Sequence, residues 1–305
     1  MLSALAILAA ALCFSTTGTA QALAGVDASP LAVGAARIVV GGGILGLLAL
    51  ARRPRTPTPT PTPTGSRFST AGLIAVGAIG VLAYQPLFFL GTRENGVAIG
   101  TVVALGSAPI ATGIVDAIRS RRLPSPRWML ATAIALTGVV LVSGVTGGAV
   151  VLAPGGLLAS AGAGMSYALY TVCGKALIDR GWDSARVMGT VFGVAAVASL
   201  PVLLIAGASW LATPNGLALA LWLGVIATTV AYLLFGWGLA RLTAVTVSTL
   251  TLAEPLAATL LGLFVLHEQL TPVSAFGLAL IAVGLAVVSV PSRRRQEVPD
   301  ATAPA

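Results

Sequence analysis

The sequence predicts an all-α integral membrane protein of about ten transmembrane helices, built as two inverted five-helix repeats. Three observations carry that prediction. The chain is 57% hydrophobic and only 9% charged, with a mean hydropathy of +0.98, whereas ordinary globular chains carry roughly 25% charged residues. So few charges cannot cover a water-facing surface. Arg, Pro, Asp and Gly cut the chain into apolar runs of the length, about 20 residues, that a bilayer core demands. Finally, two stretches of the chain repeat each other at a constant offset.

The runs place spans near residues 2–24, 31–50, 70–90, 96–118, 127–146, 155–178, 184–207, 214–237, 243–266 and 272–290. The first apolar run begins at Met1 and ends in "GTAQALA", which has the small residues of a signal-peptide cleavage site. No Lys or Arg precedes it, so it reads as a span rather than a signal peptide. After span 2 the tract "TPTPTPTPT" at 56–64 has proline at every second position and reads as an extended spacer.

Arginines alternate between loops. Arg52, Arg53, Arg55 and Arg67 follow span 2, Arg119, Arg121, Arg122 and Arg127 surround the loop after span 4, and Arg293, Arg294 and Arg295 follow span 10. The connections near 25–30, 147–154 and 208–216 hold no Lys or Arg. By the positive-inside rule both termini face the cytoplasm, in a plasma (inner) membrane. Arg93, beside Glu94 in an expected outer loop, is the exception. The net charge of +8 is therefore a topology signal; its clusters lack aromatic interleaving or a recognition motif, so no nucleic-acid partner is expected. The partners expected are the lipid bilayer and a small-molecule substrate, with the chain a monomer or homodimer.

The repeat aligns Pro109 with Pro255, Pro126 with Pro272 and Gly138 with Gly284, each pair 146 positions apart. The halves are expected at 1–146, including a Thr/Pro-rich cytoplasmic loop at 51–67, and at 147–291, followed by a disordered cytoplasmic tail at 292–305. An odd number of spans per half turns the second half upside down, and inverted repeats build sites near the midplane where the halves meet. Gly42 and Gly46, Gly96 and Gly100, Gly189 and Gly193, and Gly156, Ser160 and Gly164 have the small-xxx-small spacing that brings helices close in lipid.

Few polar side chains fall within the spans. Glu254, halfway along span 9, is the central candidate: an ionised carboxylate at that depth costs on the order of 2.5 to 3.5 kcal/mol on insertion scales, so it pairs, protonates or faces water. Reversible protonation makes protons the expected coupling ion. Pro255 has no N–H, which takes the usual partner from the carbonyl of Thr251 and bends the helix; Pro109 does the same to Leu105. The two prolines are gate or hinge candidates, and Thr251 a substrate-site candidate. Arg37, well inside span 2, can snorkel outward, hold a substrate carboxylate or pair with Glu254. Ser15, Thr16, Thr17 and Thr19, together with Tyr84, Gln85, Ser166, Tyr167, Tyr170 and Trp237, complete the cavity-lining candidates. Trp128, Trp210 and Trp222 read as interface anchors. His267 and Glu268 read as the outer cap of span 9, Asp116 as the neutraliser of Arg119 or Arg121, and Lys175 with Asp179 as a four-apart pair.

Cys13 and Cys173 lie in apolar runs without metal-ligand spacing. No paired Asp/Asp, HExxH, GxSxG or GxxxxGK[ST] occurs, so neither an intramembrane enzyme nor an ATP site is indicated, and no cofactor or metal is expected.

The stretch "EPLAATLLGLFVLHEQLTP" followed by "GLALIAVGLAVV" resembles the EamA-type branch of the drug/metabolite transporter superfamily. "RIVVGGGILGLLAL" from Arg37 is similar to that family's second helix and "SAGAGMSYALYTVCGKAL" to its sixth. The resemblance implies a ten-helix inner-membrane transporter of small metabolites, commonly amino acids, and often outward. The chain departs from the pattern in its first half, where Ala108 stands opposite Glu254 and Arg122 opposite Glu268. A proton-coupled exporter by alternating access is the expectation; a broad-specificity drug or cation exporter and a non-transporting membrane scaffold are the alternatives.

Overall fold

The computed structural model describes residues 2–51, 69–143, 153–267 and 271–290. Arg52, Arg53, Arg55, Arg67, the 56–64 tract, Glu268, Arg293, Arg294, Arg295 and the 292–305 tail lie outside them. Ten helices fill the described residues: α1 (Leu2–Ala24), α2 (Pro30–Ala51), α3 (Thr70–Gly96), α4 (Ile99–Ser120), α5 (Pro126–Val142), α6 (Pro154–Asp179), α7 (Ser184–Ala206), α8 (Pro214–Leu239), α9 (Ala244–Val265) and α10 (Pro272–Ser289). Eight are long and apolar enough to cross a membrane on those grounds alone. The others are α5, which has 17 residues, and α6, whose run is diluted by Ser160, Ser166, Tyr167, Tyr170 and Lys175.

Most helix starts are chemically marked. Ser125–Pro126 and Thr271–Pro272 use a hydroxyl to accept the N–H of Trp128 or Ser274, with a proline at the first helical position. The N–H that proline lacks would have gone unpaired there. The two caps lie 146 positions apart and repeat the device in both halves.

Contacts between helices follow the exchange of the halves. α2 packs on α7 and α5 on α10; α6 packs against α3 and α4, while α1 packs against α8 and α9. Exchanging α1–α5 with α6–α10 reproduces the same set. The symmetry extends to atoms. A Cβ on Gly138 would strike the carbonyl oxygen of Gly277 at 2.5 Å, and one on Gly284 would strike that of Ala131 at 2.7 Å. Both pairs are the same contact seen from the two halves, since Gly138 corresponds to Gly284 and Ala131 to Gly277. At the α2–α7 crossing Gly46 meets Gly193, and Gly42 meets the carbonyl of Phe192 as Gly189 meets that of Leu45. Only glycine lets backbones approach this closely.

Three expectations are corrected. No loop separates α3 from α4: the helix runs on through Arg93 and Glu94 and breaks only at Gly96, whose φ of 79° suits glycine. Asn95 secures the break, accepting the Ala153 N–H at 2.7 Å and donating to the Ala153 carbonyl at 3.0 Å. Asn95→Ala is expected to cost about 1–3 kcal/mol by orphaning the Ala153 N–H, whose carbonyl keeps the Leu157 N–H, read as a lower Tm in detergent; an unchanged Tm would mean the break holds without it. Trp128 is no simple interface anchor, because its Nε1 donates to Val245 O and Thr249 Oγ1, both at 2.9 Å, tying α5 to α9. Arg119 pairs with Asp179 at 3.1 Å rather than with Asp116, and Lys175 joins the same carboxylate at 3.1 Å as its spacing foretold.

Candidate functional site

Elements from both halves enclose a cavity of about 60 Å³. Its polar wall comes from Arg37 on α2, Tyr84 and Gln85 on α3, Tyr167 and Tyr170 on α6, Tyr232 on α8, and Ser248, Thr251 and Glu254 on α9. Phe14, Phe192, Ala104, Leu105 and Ala108 supply apolar wall. Ala108 thus stands in the wall that Glu254 also faces, so the missing carboxylate of the first half leaves a methyl group there.

Glu254 reaches the cavity because α9 is interrupted. The helical segments Ala244–Leu250 and Ala253–Val265 are joined by a tight turn at Thr251 and Leu252. Leu252 N–H donates to Thr249 O at 3.0 Å and Glu254 N–H to Thr251 O at 2.9 Å. The carbonyl expected to be left free by Pro255 is therefore satisfied three residues on; the chain tightens instead of leaving it to a ligand. Thr251 Oγ1 donates to Ser248 O at 2.8 Å, which spends its only proton, so Tyr167 OH is the donor in the 3.0 Å Tyr167–Thr251 bond. That bond pins the turn to α6. The half-buried carboxylate of Glu254 has no hydrogen-bond or ion-pair partner among the described residues.

Arg37 neither snorkels nor pairs with Glu254. Its Nε donates to Thr228 Oγ1 and its Nη2 to Ala227 O, both at 2.9 Å, with its guanidinium 5.9 Å above the Phe14 ring. The cause lies in α8, which is π-helical over Trp222–Val230. Ala231 N–H, which a regular α-helix would direct to Ala227 O, instead bonds Ile226 O and Thr228 O, so the Ala227 carbonyl does not receive it. Arg37 supplies the donor that the helix cannot. Thr228 Oγ1 meanwhile donates to Leu223 O at 2.8 Å, leaving its lone pairs for Arg37. π-Helical turns recur at functional sites.

The remaining candidates separate. Tyr170 OH and Tyr232 OH lie 3.2 Å apart, and Tyr232 packs on Phe14 and Phe192 with ring centroids at 5.0 and 4.0 Å. Trp237 is not in the cavity wall: it is exposed near the end of α8, with the Arg241 guanidinium 3.8 Å over its ring. The hydroxyls of Ser15, Thr16 and Ser166 turn back onto their own helices, bonding Leu12 O, Cys13 O and Gly162 O. Helical dihedrals continue through Pro109, so the breaks near the site fall at Gly96 and at Thr251–Leu252. Phe14, Phe192, Thr228, Tyr232 and Ser248 escaped the sequence reading. The doubled hydroxyls of "IATTVAY" were the one visible signal, a polar pair in an apolar run.

The model of the EamA-like transporter family matches residues 1–144 and 154–290. The chain belongs to the EamA-like transporter family. With it comes membership of the drug/metabolite transporter superfamily, and the activity class is transport across a membrane. Among curated relatives, the Uncharacterized transporter YwfM of Bacillus subtilis (strain 168) is 39% identical over 290 residues, covering 95% of this chain and 94% of its own length. The Uncharacterized transporter YdeK of the same organism is 28% identical over 286 residues, covering 91% of each. A solved crystal structure with 22% identity superposes with a TM-score of 0.75 over 94% of this chain and 96% of that one. It shares the EamA fold.

Proposed function

We propose that this transporter is a proton-coupled secondary carrier of the inner membrane, both termini cytoplasmic, that exports a small zwitterionic metabolite such as an amino acid by alternating access. The observation that carries this reading is the unpartnered carboxylate of Glu254 facing one cavity with the Arg37 guanidinium. A lone carboxylate in a closed site takes up either a proton or an organic ammonium, and it cannot hold both. Mutually exclusive occupancy is the elementary requirement for exchanging protons against substrate. Arg37 uses two of its five N–H donors on α8, which orients the guanidinium and leaves donors for a substrate carboxylate.

Pockets for drug-sized ligands run to roughly 300–1,000 Å³, and this cavity is about 60 Å³, so even a small metabolite requires the helices to part. The six aromatic rings of the wall favour a second reading, export of organic cations, in which Glu254 alone meets the positive charge.

Counterflow in proteoliposomes separates the two. Zwitterionic amino acids are expected to exchange, and Arg37→Lys, which loses the planar fork, is expected to raise their KM by about tenfold. Exchange of cations that lack a carboxylate, indifferent to Arg37→Lys, would establish the second reading instead. No exchange of any solute by folded protein would leave the scaffold alternative.

A further inference from the structure

On the opposite side of the α2–α7 crossing from the transport cavity lies a second concavity, a lateral groove of about 750 Å³. Its floor is Gly43, Gly46 and Gly193, and its rims are Leu47 and Leu50 on α2 and Val194 and Val197 on α7. The rim residues are exposed in transmembrane segments, which makes lipid their solvent. Thr190, the one hydroxyl in the groove, donates to Arg186 O at 2.8 Å and presents only its methyl. The groove is thus apolar along its length.

One end is different. Arg186, in the first turn of α7, closes the groove with its guanidinium 5.0 Å over the Trp182 ring. Stacking engages the face of a guanidinium and leaves its in-plane N–H donors for an anion. The nearby carboxylate of Asp183 is turned to the helix start, accepting the Arg186 backbone N–H at 3.1 Å. From Arg186 to Val197 the helix rises by about 16 Å, close to the half-thickness of a roughly 30 Å hydrocarbon core. The halves also differ here: at the offset that pairs Gly46 with Gly193, Arg186 corresponds to Val39 and Trp182 to Ala35. A groove that the two-fold would make symmetric therefore has a cationic end at one membrane face only.

We propose that this groove holds one acyl chain of an anionic phospholipid from the leaflet facing the α6–α7 turn, with the lipid phosphate on Arg186. A chain of one leaflet's length and a phosphate at the interface fit an apolar channel with the Arg186 guanidinium at its mouth.

Native mass spectrometry of the purified full chain in mild detergent tests this, with phosphatidylglycerol and phosphatidylcholine of identical acyl chains as probes. The wild type is expected to bind phosphatidylglycerol about fivefold more tightly. Arg186→Gln should equalise the two lipids while Arg186→Lys keeps most of the preference, and Arg122→Gln, at an exposed arginine elsewhere, should change nothing. Gly43→Phe fills the groove, since a Cβ there meets nothing within 4 Å, and should reduce binding of both lipids. Equal binding of the two lipids by the wild type, or undiminished binding by a folded Gly43→Phe, overturns the proposal, as does a dimer that Gly43→Phe dissociates. Should Gly43→Phe not fold, Arg186→Gln decides alone, because its half-buried side chain lies outside the packed core.

Discussion

Glu254→Gln abolishes proton-driven transport in proteoliposomes, a loss of at least about a hundredfold, the scale on which removing a positioned proton-transfer group registers. The substitution is nearly isosteric. It keeps the turn at Thr251 and Leu252, whose hydrogen bonds are made by the backbone and by Tyr167, so the folded protein and its Tm should be retained. What it removes is the choice between a proton and an ammonium. An amide is neutral on both faces of the membrane, so an imposed pH gradient should no longer accelerate flux in either direction. Wild-type rates that still follow the gradient in Glu254→Gln would sink the coupling reading. Uncoupled exchange of substrate by the variant would instead place the proton on another group while sparing the binding site.

Gly42→Leu should be strongly destabilising although it lies outside the cavity wall. A Cβ at Gly42 lies 2.5 Å from the Phe192 carbonyl oxygen and 3.1 Å from Ala196 Cβ, both in a helix that cannot yield locally. The α2–α7 pair has to separate, at a cost of about 1–3 kcal/mol or more. Gly189→Leu attacks the same crossing from the other half, against the Leu45 carbonyl. The double variant should cost less than the sum of the singles, since helices already forced apart accept the second side chain more cheaply. Thermal unfolding followed by near-ultraviolet circular dichroism measures all three; full additivity would mean the two glycines do not share one contact.

The helices were legible because bilayer thickness sets the length of an apolar run and charge marks its ends, so the expected spans and the ten helices nearly coincide. Where the structure departs, the cause is hydrogen-bond register, which composition does not encode. The α3–α4 break could be a loop or a single glycine on the same residues, and Gly96 proved sufficient. In the site, Glu254 and Arg37 stood out because charge is rare in lipid. Their partners did not, since the Ala227 carbonyl becomes available only through the π-helical turn of α8. Trp237 misled because an aromatic near a helix end serves equally as a cavity wall or as a seat for Arg241. Tyr232, five residues earlier, was lost among apolar neighbours.

The pairing of α2 with α7, α5 with α10, and α1 with α8 and α9 bears on biogenesis. Each helix of the first half finds its main packing surface in the second, which the ribosome makes later. When α5 enters the membrane, the glycine faces of α2 and α5 are covered only by lipid. Assembly therefore waits for the chain to be nearly complete, and a truncated product would present those faces to whatever helices the membrane happens to hold.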